Sequence, residues 1–334
     1  MLKPMKVSRS IRSFAPGLAR AQIKSVALTA VKNRTRRIGP RDIILVSCQR
    51  NELPRLPFFF DYYRHLGIGH FLFIDNDSDD GSREWLADQE DCSLWHTRAS
   101  YRRSQYGMDW CNALLRRYGS ERWCLTVDPD EFLVYPQMGT RSLRALCQYL
   151  DDEERRSFQT VMLDAYSDKR LSDTLYRSGD DPFEICPFFD RDGYIQDVGW
   201  GRGTLTRGGP RLRAYFSEHP ADAPALNKTP LVKWRWYFLY TSSMHDLRPY
   251  YLNDADQYLA PAATGCLFHF KFMSSLTAKA AEEMRRKQHF ADSAEYKRYD
   301  AAGDLNFYRE GLSARYESPR QLIDLGLMSQ GRWF

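Results

Sequence analysis

Apolar and polar positions alternate along the first half of the chain in blocks that read as strand, turn, helix, turn. Ile43–Cys48 is a short, mostly apolar run and predicts a buried strand. Gln49-Arg50-Asn51-Glu52 follows as a polar turn, and Pro54 opens an amphipathic segment that predicts a helix as far as Leu66. Gly67-Ile68-Gly69 breaks that helix. His70–Ile74 (HFLFI) predicts a second strand, which runs into the polar stretch Asp75–Ser82. A short helix is expected over 82–89, with acidic and hydroxyl groups that can cap its first amides. Ser93–His96 is a candidate third strand, Gln105–Tyr118 has helical spacing, and Trp123–Val127 (WCLTV) predicts another buried strand. Such alternation across short turns predicts an α/β fold, a mostly parallel sheet with helices on both faces.

Beyond about residue 150 the pattern loosens. Thr160–Leu163 predicts a strand, and 166–230 reads as irregular, rich in Gly, Pro, Asp and Arg. Leu231–Tyr240 (LVKWRWYFLY) and Cys266–Met273 (CLFHFKFM) predict strands, and Thr277–Phe290 and Ser293–Tyr299 predict charged helices. Three parts are therefore expected: a leader over 1–41, a main domain over 42–300 and an extension over 301–334. The main domain divides into 42–135 and 136–300.

Charge changes this picture at one end. Residues 1–41 carry eleven Lys or Arg and no acid, which leaves 37 basic against 43 acidic residues in the rest. Such a leader is either a disordered basic tail or a segment that lies on an anionic membrane surface, where each cation contributes about 1 kcal/mol. No helix-turn-helix, zinc-finger or aromatic RNA-binding signature follows it, so nucleic acid is not expected as a partner. No run of about 18 uncharged apolar residues is present, which argues against a spanning helix. The seven cysteines are scattered and never spaced as CxxC, a pattern that fits a reducing cytosol rather than a disulfide framework or a zinc site.

The chemistry is concentrated in Asp128-Pro129-Asp130-Glu131, directly after the strand Trp123–Val127. Three carboxylates in four residues repel one another unless a cation sits among them. Carboxylate oxygens suit Mg²⁺ or Mn²⁺, and such an ion completes its shell with substrate phosphates. The alternative is an acidic turn with Pro129 at its corner. In parallel sheets, ligands bind outside the carboxyl ends of the strands. The expected strand ends deliver Arg50-Asn51-Glu52, Asp75–Ser82 and Asp128–Glu131 to one edge.

SCQRNE (47–52), DYYRHLGIGHFLFIDNDSDDGS (61–82) and WCLTVDPDEFLVY (123–135) together resemble bacterial family-2-like glycosyltransferases of the GT-A fold, a Rossmann-like mixed sheet. The resemblance covers roughly 41–300 and is most specific over 45–135. It implies transfer of a sugar from a nucleotide-diphosphate donor, most readily a UDP-sugar, to a glycan or lipid-linked acceptor. It also implies Mn²⁺ or Mg²⁺ as cofactor and bacterial surface polysaccharide synthesis as the setting, in the cytoplasm or peripherally at the inner membrane. Residue by residue, it places Asn51, Glu52, Asp75 and Asp80 near the base and ribose. Asp128 and Asp130 match the D-x-D pair that holds the ion and the diphosphate, with Glu131 as a supporting partner. His269 is the implied histidine ligand and His245 its alternative; a hydrogen-bonded core histidine is the competing reading of either.

Arg211 and Arg213 in Gly208-Gly209-Pro210-Arg211-Leu212-Arg213, read as a flexible turn, and Lys228 could clamp a diphosphate; solvated surface cations are the alternative. Inverting transfer needs a carboxylate base. Asp164, Asp190, Asp192, Asp197 and Glu218 are available, with Asp197 and Glu218 put forward, and no E-D pair of the ordinary family-2 kind is evident. Trp200, Trp234, Trp236 and Tyr237 could stack on sugar rings. Trp234 and Trp236 share a face of the expected strand, which equally suits the core. Two other functions stay open: a sugar-phosphate nucleotidyltransferase, disfavoured by the lack of a Gly-rich phosphate loop after the first strand, and a catalytically silent carbohydrate-binding protein.

Overall fold

The computed structural model describes residues 4–198, 204–253, 261–276, 298 and 303–334. In chain order these form α1 (Pro4–Lys24), β1 (Thr29–Lys32), β2 (Ile43–Gln49), α2 (Leu56–Leu66), β3 (Ile68–Asp75), α3 (Ser82–Asp88), β4 (Cys92–His96), α4 (Met108–Tyr118), β5 (Trp123–Thr126), β6 (Glu131–Val134), α5 (Leu143–Asp152) and β7 (Ser157–Asp164). The second half adds α6 (Pro182–Ile185), β8 (Phe188–Asp190), β9 (Ile195–Val198), β10 (Thr204–Arg207), α7 (Gly209–Tyr215), β11 (Asn227–Lys233), β12 (Leu239–Tyr240), β13 (Leu247–Arg248), β14 (Gly265–His269), β15 (Ser313–Arg315) and α8 (Pro319–Asp324). The helices expected over 277–290 and 293–299 lie outside the described residues, one position excepted.

One nine-stranded sheet, in the order β1-β4-β3-β2-β5-β11-β7-β14-β6, organises the chain. β4, β3, β2, β5, β7 and β14 point one way, and β1, β11 and β6 oppose them. This is a mixed α/β sheet, mostly parallel, of the Rossmann-like kind. Every residue of β2 is buried. Ile43 and Leu45 face a core built with α2, α3 and α5, while Ile44 and Val46 face a second core built with α1 and α4. Helices on both faces follow from strands that are apolar on both faces. On α2, Phe59, Phe60 and Tyr63 are fully buried, each contributing about 1.5–3 kcal/mol by area. Gly67 ends that helix at φ 97°, a conformation that favours glycine.

From β2 to β5 the elements match expectation to within a few residues, while α1, β1, β6 and α5 were not expected. β3 starts at Ile68 rather than His70. α4 starts at Met108 rather than Gln105, because Gln105, Tyr106 and Gly107 all have positive φ and cannot continue a helix. The leader is not separate from the sheet: β1 pairs with β4, and Phe14, Leu18 and Ala21 of α1 are buried in the second core.

The second half departs further. Leu231–Tyr240 is not one strand. β11 runs from Asn227 to Lys233, with a register shift between Lys228 and Leu231 that accommodates Pro230, and residues 234–238 turn away to β12. Trp234 and Trp236 therefore do not share a strand face: Trp234 is fully buried, and Trp236 is 52% exposed beside Arg116. The expected strand over 266–273 stops at His269. The stretch expected as a flexible turn at 208–213 is the start of α7, and Arg211 is buried rather than solvated.

Candidate metal and nucleotide site

Strand β2 is flanked by β3 on one side and β5 on the other, so successive connections leave it in opposite directions. A crevice opens at such a reversal, outside the carboxyl ends of the strands. The parallel strands end there at Gln49, Asp75, His96, Thr126, Asp164 and His269, and the opposed strands begin there at Glu131 and Asn227. One edge thus collects Asn51, Glu52, Asp75, Asp80, Asp128, Asp130, Glu131, Asp164, Lys228 and His269.

The loops after β2 and β3 are stitched together. The Asn51 amide donates to Ser78 Oγ (3.0 Å), the Glu52 amide to Ser82 Oγ (3.1 Å) and the Leu53 amide to Asp80 Oδ2 (3.0 Å). Asp80 Oδ1 also accepts from the Ser82 amide (2.9 Å), and the Asn51 side-chain oxygen accepts from the Asp79 amide (3.0 Å). Asp75, fully buried, accepts from Gln49 Nε2 (2.9 Å) and the Ser78 amide (3.2 Å). The D-N-x-S-x-D-G turn is thereby a device that ties one loop to the next through backbone amides. Glu52 pairs with Arg55 (2.7 Å), whose guanidinium also donates to the Phe270 carbonyl (3.2 Å). Arg55 was not singled out in the sequence; a Glu and Arg three apart at a helix start are the signal that marks it.

The acidic tetrad is a turn, closed by the Glu131 amide on the Asp128 carbonyl (3.0 Å) with Pro129 at its second position. The turn reading of the tetrad holds, and the turn presents two of its carboxylates to the buried Lys228. Lys228, 4% exposed in its side chain, pairs with Glu131 and lies 3.8 Å from Asp128. Burial would lower the Lys228 pKa, but Glu131 and Asp128 outweigh it and raise it. Enclosure by protein, then the negative charge of Glu131, pushes Asp128 up to about 7, while Lys228 pulls it down. Solvent reaching the 40% of that side chain still exposed offsets part of the rise.

His269 lies between two acids, Nε2 3.5 Å from Asp130 and Nδ1 2.7 Å from Asp164. Burial opposes its charge, but Asp130 and Asp164 outweigh burial and raise its pKa. Asp164 in turn receives Arg211 Nε at 2.6 Å; Arg211 and His269 overcome burial and hold the carboxyl below the usual range. Donor atoms of Asp130, Glu131 and His269 lie within 4.8 Å of one another, close enough to hold a metal ion. Of the three, Glu131 is also engaged by Lys228 and by the Asp128 amide (3.3 Å), and Asp130 keeps 20% of its side chain exposed. His245, the alternative ligand, instead donates from Nδ1 to the Asn227 carbonyl (2.7 Å), and burial followed by Lys228 depresses its pKa to about 3.

The remaining candidates are spread out. Arg213 holds Asp190 through Nε (2.8 Å), and Tyr166 donates to the same carboxylate (2.6 Å). Arg211 and Arg213 are thus both bound to buried acids, and Asp164 and Asp190 have both oxygens engaged. Asp197 is exposed on the β9–β10 hairpin, 3.8 Å from Arg207, and Asp192 and Glu218 are exposed. Tyr237 is buried, and Trp200 lies outside the described residues.

Fold and site together define a mixed α/β protein whose strand ends gather an acidic, histidine-bearing cluster with donor atoms close enough for a cation. No family model matches the chain. No curated protein matches it either. Among solved structures, one assigned as a glucose-1-phosphate thymidylyltransferase from Bacillus anthracis, in complex with a sucrose, is similar over 85% of this chain and 93% of that one. The identity is 9% and the TM-score 0.29, a likeness that carries no argument about activity.

Proposed function

We propose that the chain is a metal-dependent glycosyltransferase of the GT-A kind, which moves a sugar from a nucleotide-diphosphate donor, most readily a UDP-sugar, to a glycan or lipid-linked acceptor. The observation that carries this reading is the Asp130–His269 pair beside Asp128 and Lys228, at the carboxyl edge and next to the strand-order reversal. Mixed oxygen and imidazole donors favour Mn²⁺ over Mg²⁺. A bound ion would act as a Lewis acid toward the negative charge that develops on the departing diphosphate.

The chain's own residues divide the remaining work. Asn51, Glu52, Asp75 and Asp80 shape the crevice for base and ribose. Lys228 places a fixed positive charge beside Asp128, where the diphosphate would lie. Asp197 and Glu218, with exposed carboxylates, are the bases proposed to take the acceptor's hydroxyl proton with inversion. Surface polysaccharide synthesis at the inner face of a bacterial membrane is the proposed setting, the basic leader meeting anionic lipid. Among the described residues no helix is long and apolar enough to cross a membrane. Deleting the leader would also remove β1 and the buried face of α1, so the lipid contact is tested by replacing Lys6, Arg9 and Arg12 with Gln. Co-sedimentation with phosphatidylserine vesicles should fall, and undiminished binding would remove this role.

The function is tested by thermal shift with UDP, GDP, CMP and dTDP, each with and without Mn²⁺. Ligand at 100 times its dissociation constant stabilises the native state by about 2.7 kcal/mol, a rise of several degrees. A rise that needs one nucleotide and the metal together is expected. No rise with any nucleotide would overturn the transferase reading.

A further inference from the structure

His269 has two ring nitrogens, and the chain treats them differently. Nδ1 faces Asp164 Oδ1 at 2.7 Å; a carboxylate only accepts, so Nδ1 carries a proton, and the ring so held turns Nε2 toward Asp130 at the longer distance of 3.5 Å. The other oxygen of Asp164 is held by Arg211 Nε at 2.6 Å. The side chains of Asp164, Arg211 and His269 are 0%, 5% and 10% exposed, so no bulk water competes for this chain of contacts.

The backbone is shaped to bring Arg211 there. Gly209 has φ 68°, and a side-chain carbon on Gly208 would come within 2.9 Å of the Tyr194 backbone. The two glycines let α7 start tightly against that segment, and Arg211 lies in its first turn. At the other end of α7, Tyr215 packs against Phe272 and Phe307, fixing the helix to the aromatic cluster that also contains Tyr166. Three distant parts of the chain, α7, the end of β7 and the end of β14, therefore meet in one line.

We propose that Asp164 and Arg211 are positioning residues that hold His269 with Nε2 facing Asp130, so that the two ligands of a divalent cation are set before the ion arrives. This rests on the metal-site reading above. Arg211 thereby has a role other than the diphosphate clamp: it fixes the carboxylate that fixes the imidazole. A carboxylate behind a metal-binding histidine sets the ring's tautomer and orientation, and its loss typically weakens metal binding 10–100-fold.

The test is a Mn²⁺ titration of the full chain, followed by the electron paramagnetic resonance signal of free Mn²⁺, for the wild type, Asp130→Asn and Asp164→Asn. Asp164→Asn strands a buried guanidinium, so the double variant Asp164→Asn/Arg211→Gln, which removes both charges, is measured beside it. A second readout needs no metal: ¹⁵N-histidine spectra, with His269 assigned through His269→Gln. Expected are a 10–100-fold weaker Mn²⁺ dissociation constant in both Asp164 variants, a larger loss in Asp130→Asn, and disappearance of the His269 Nδ1–H signature. Wild-type Mn²⁺ affinity together with an unchanged ring spectrum in the double variant would overturn the proposal. Wild-type protein that binds no Mn²⁺, with a ring spectrum that still responds to Asp164→Asn, would overturn the metal reading and leave the positioning role standing.

Discussion

Around the ends of β2 and β3, Asp75 and Asp80 accept from amides while Glu52 alone among the acids named there pairs with a buried cation, Arg55; around the ends of β5, β7 and β8, Glu131, Asp164 and Asp190 all face Lys or Arg. Asp80 and Asp75 accept from neutral donors within one or two loops. Glu131, Asp164 and Asp190 are instead matched to Lys228, Arg211 and Arg213, across separations of 97, 47 and 23 residues. The two arrangements have different energetics. A surface or loop hydrogen bond contributes about 1 kcal/mol, while breaking a buried ion pair on one side costs about 3–5 kcal/mol. The first region is built to hold loops in place, and the second holds charge in place. Within the second, Asp128 and Asp130 keep open surface, 40% and 20% of their side chains, so an incoming cation can reach these acids.

The largest effect expected is that of Lys228→Met. It leaves the Glu131 carboxylate, 2% exposed, without its cation, and the chain should lose about 3–5 kcal/mol in urea unfolding. Lys228→Met/Glu131→Leu, with both charges gone, should recover most of that. A loss below about 1 kcal/mol in the single variant would mean that the second region is not held by buried charge.

Asp130→Asn separates charge that binds from charge that folds. Mn²⁺-dependent sugar transfer should fall at least about 100-fold, equivalent to about 2.7 kcal/mol in the barrier. The melting temperature without ligand should move less than for Lys228→Met, since the carboxylate is 20% exposed and the substitution keeps its shape. Transfer that persists unchanged and still requires metal would move the ion to another site.

The contrast between the regions also explains what could be seen in the chain beforehand. β2, α2, β3 and α3 follow from local pattern and from Gly67, because each is decided by neighbours within a turn or a strand. Three motifs in order were enough to bring Asn51, Asp80 and Asp130 to one edge. β6, the true start of β11 and the helix at Gly209 were not legible, because their partners are remote strands and remote charged side chains. Glu131 belongs to β6 through its pairing with His269 and to the site through Lys228, and neither partner is near it in sequence. Asp164 stood out only as one of five acids. Its position at the end of a parallel strand was the available clue, but its partners His269 and Arg211 are 105 and 47 residues away.

His245 offers a pH test of the second region. Its folded pKa of about 3 lies below the usual value near 6.5, from burial first and Lys228 next. Between those values the unfolded chain binds a proton that the folded chain refuses. This contribution to stability is complete above about pH 6.5 and is lost as the pH falls toward 3, by about 1 kcal/mol per unit. His245→Asn keeps a donor for the Asn227 carbonyl and removes the titration. Unfolding free energies measured from pH 7 to pH 5 should fall more steeply for the wild type than for the variant. Parallel curves would show that the imidazole is not held neutral.

The smallest effect belongs to the first region and decides whether its acids do more than hold loops. Asp80 accepts from the Leu53 and Ser82 amides, so Asp80→Ala frees two donors where the loops after β2 and β3 meet. The expected stability loss is about 1 kcal/mol, the scale of a lost helix cap, or a few degrees in melting temperature. Asp80→Asn keeps an acceptor oxygen and should recover part of it. If Asp80 only ties the loops, nucleotide affinity should follow stability across the two variants, with Asn close to wild type. If the carboxylate also meets the ribose, affinity should fall in both variants while stability falls only in Ala. Calorimetric titration with the nucleotide identified by thermal shift distinguishes the two, because only a direct contact makes the neutral, loop-preserving Asn variant bind as poorly as Ala.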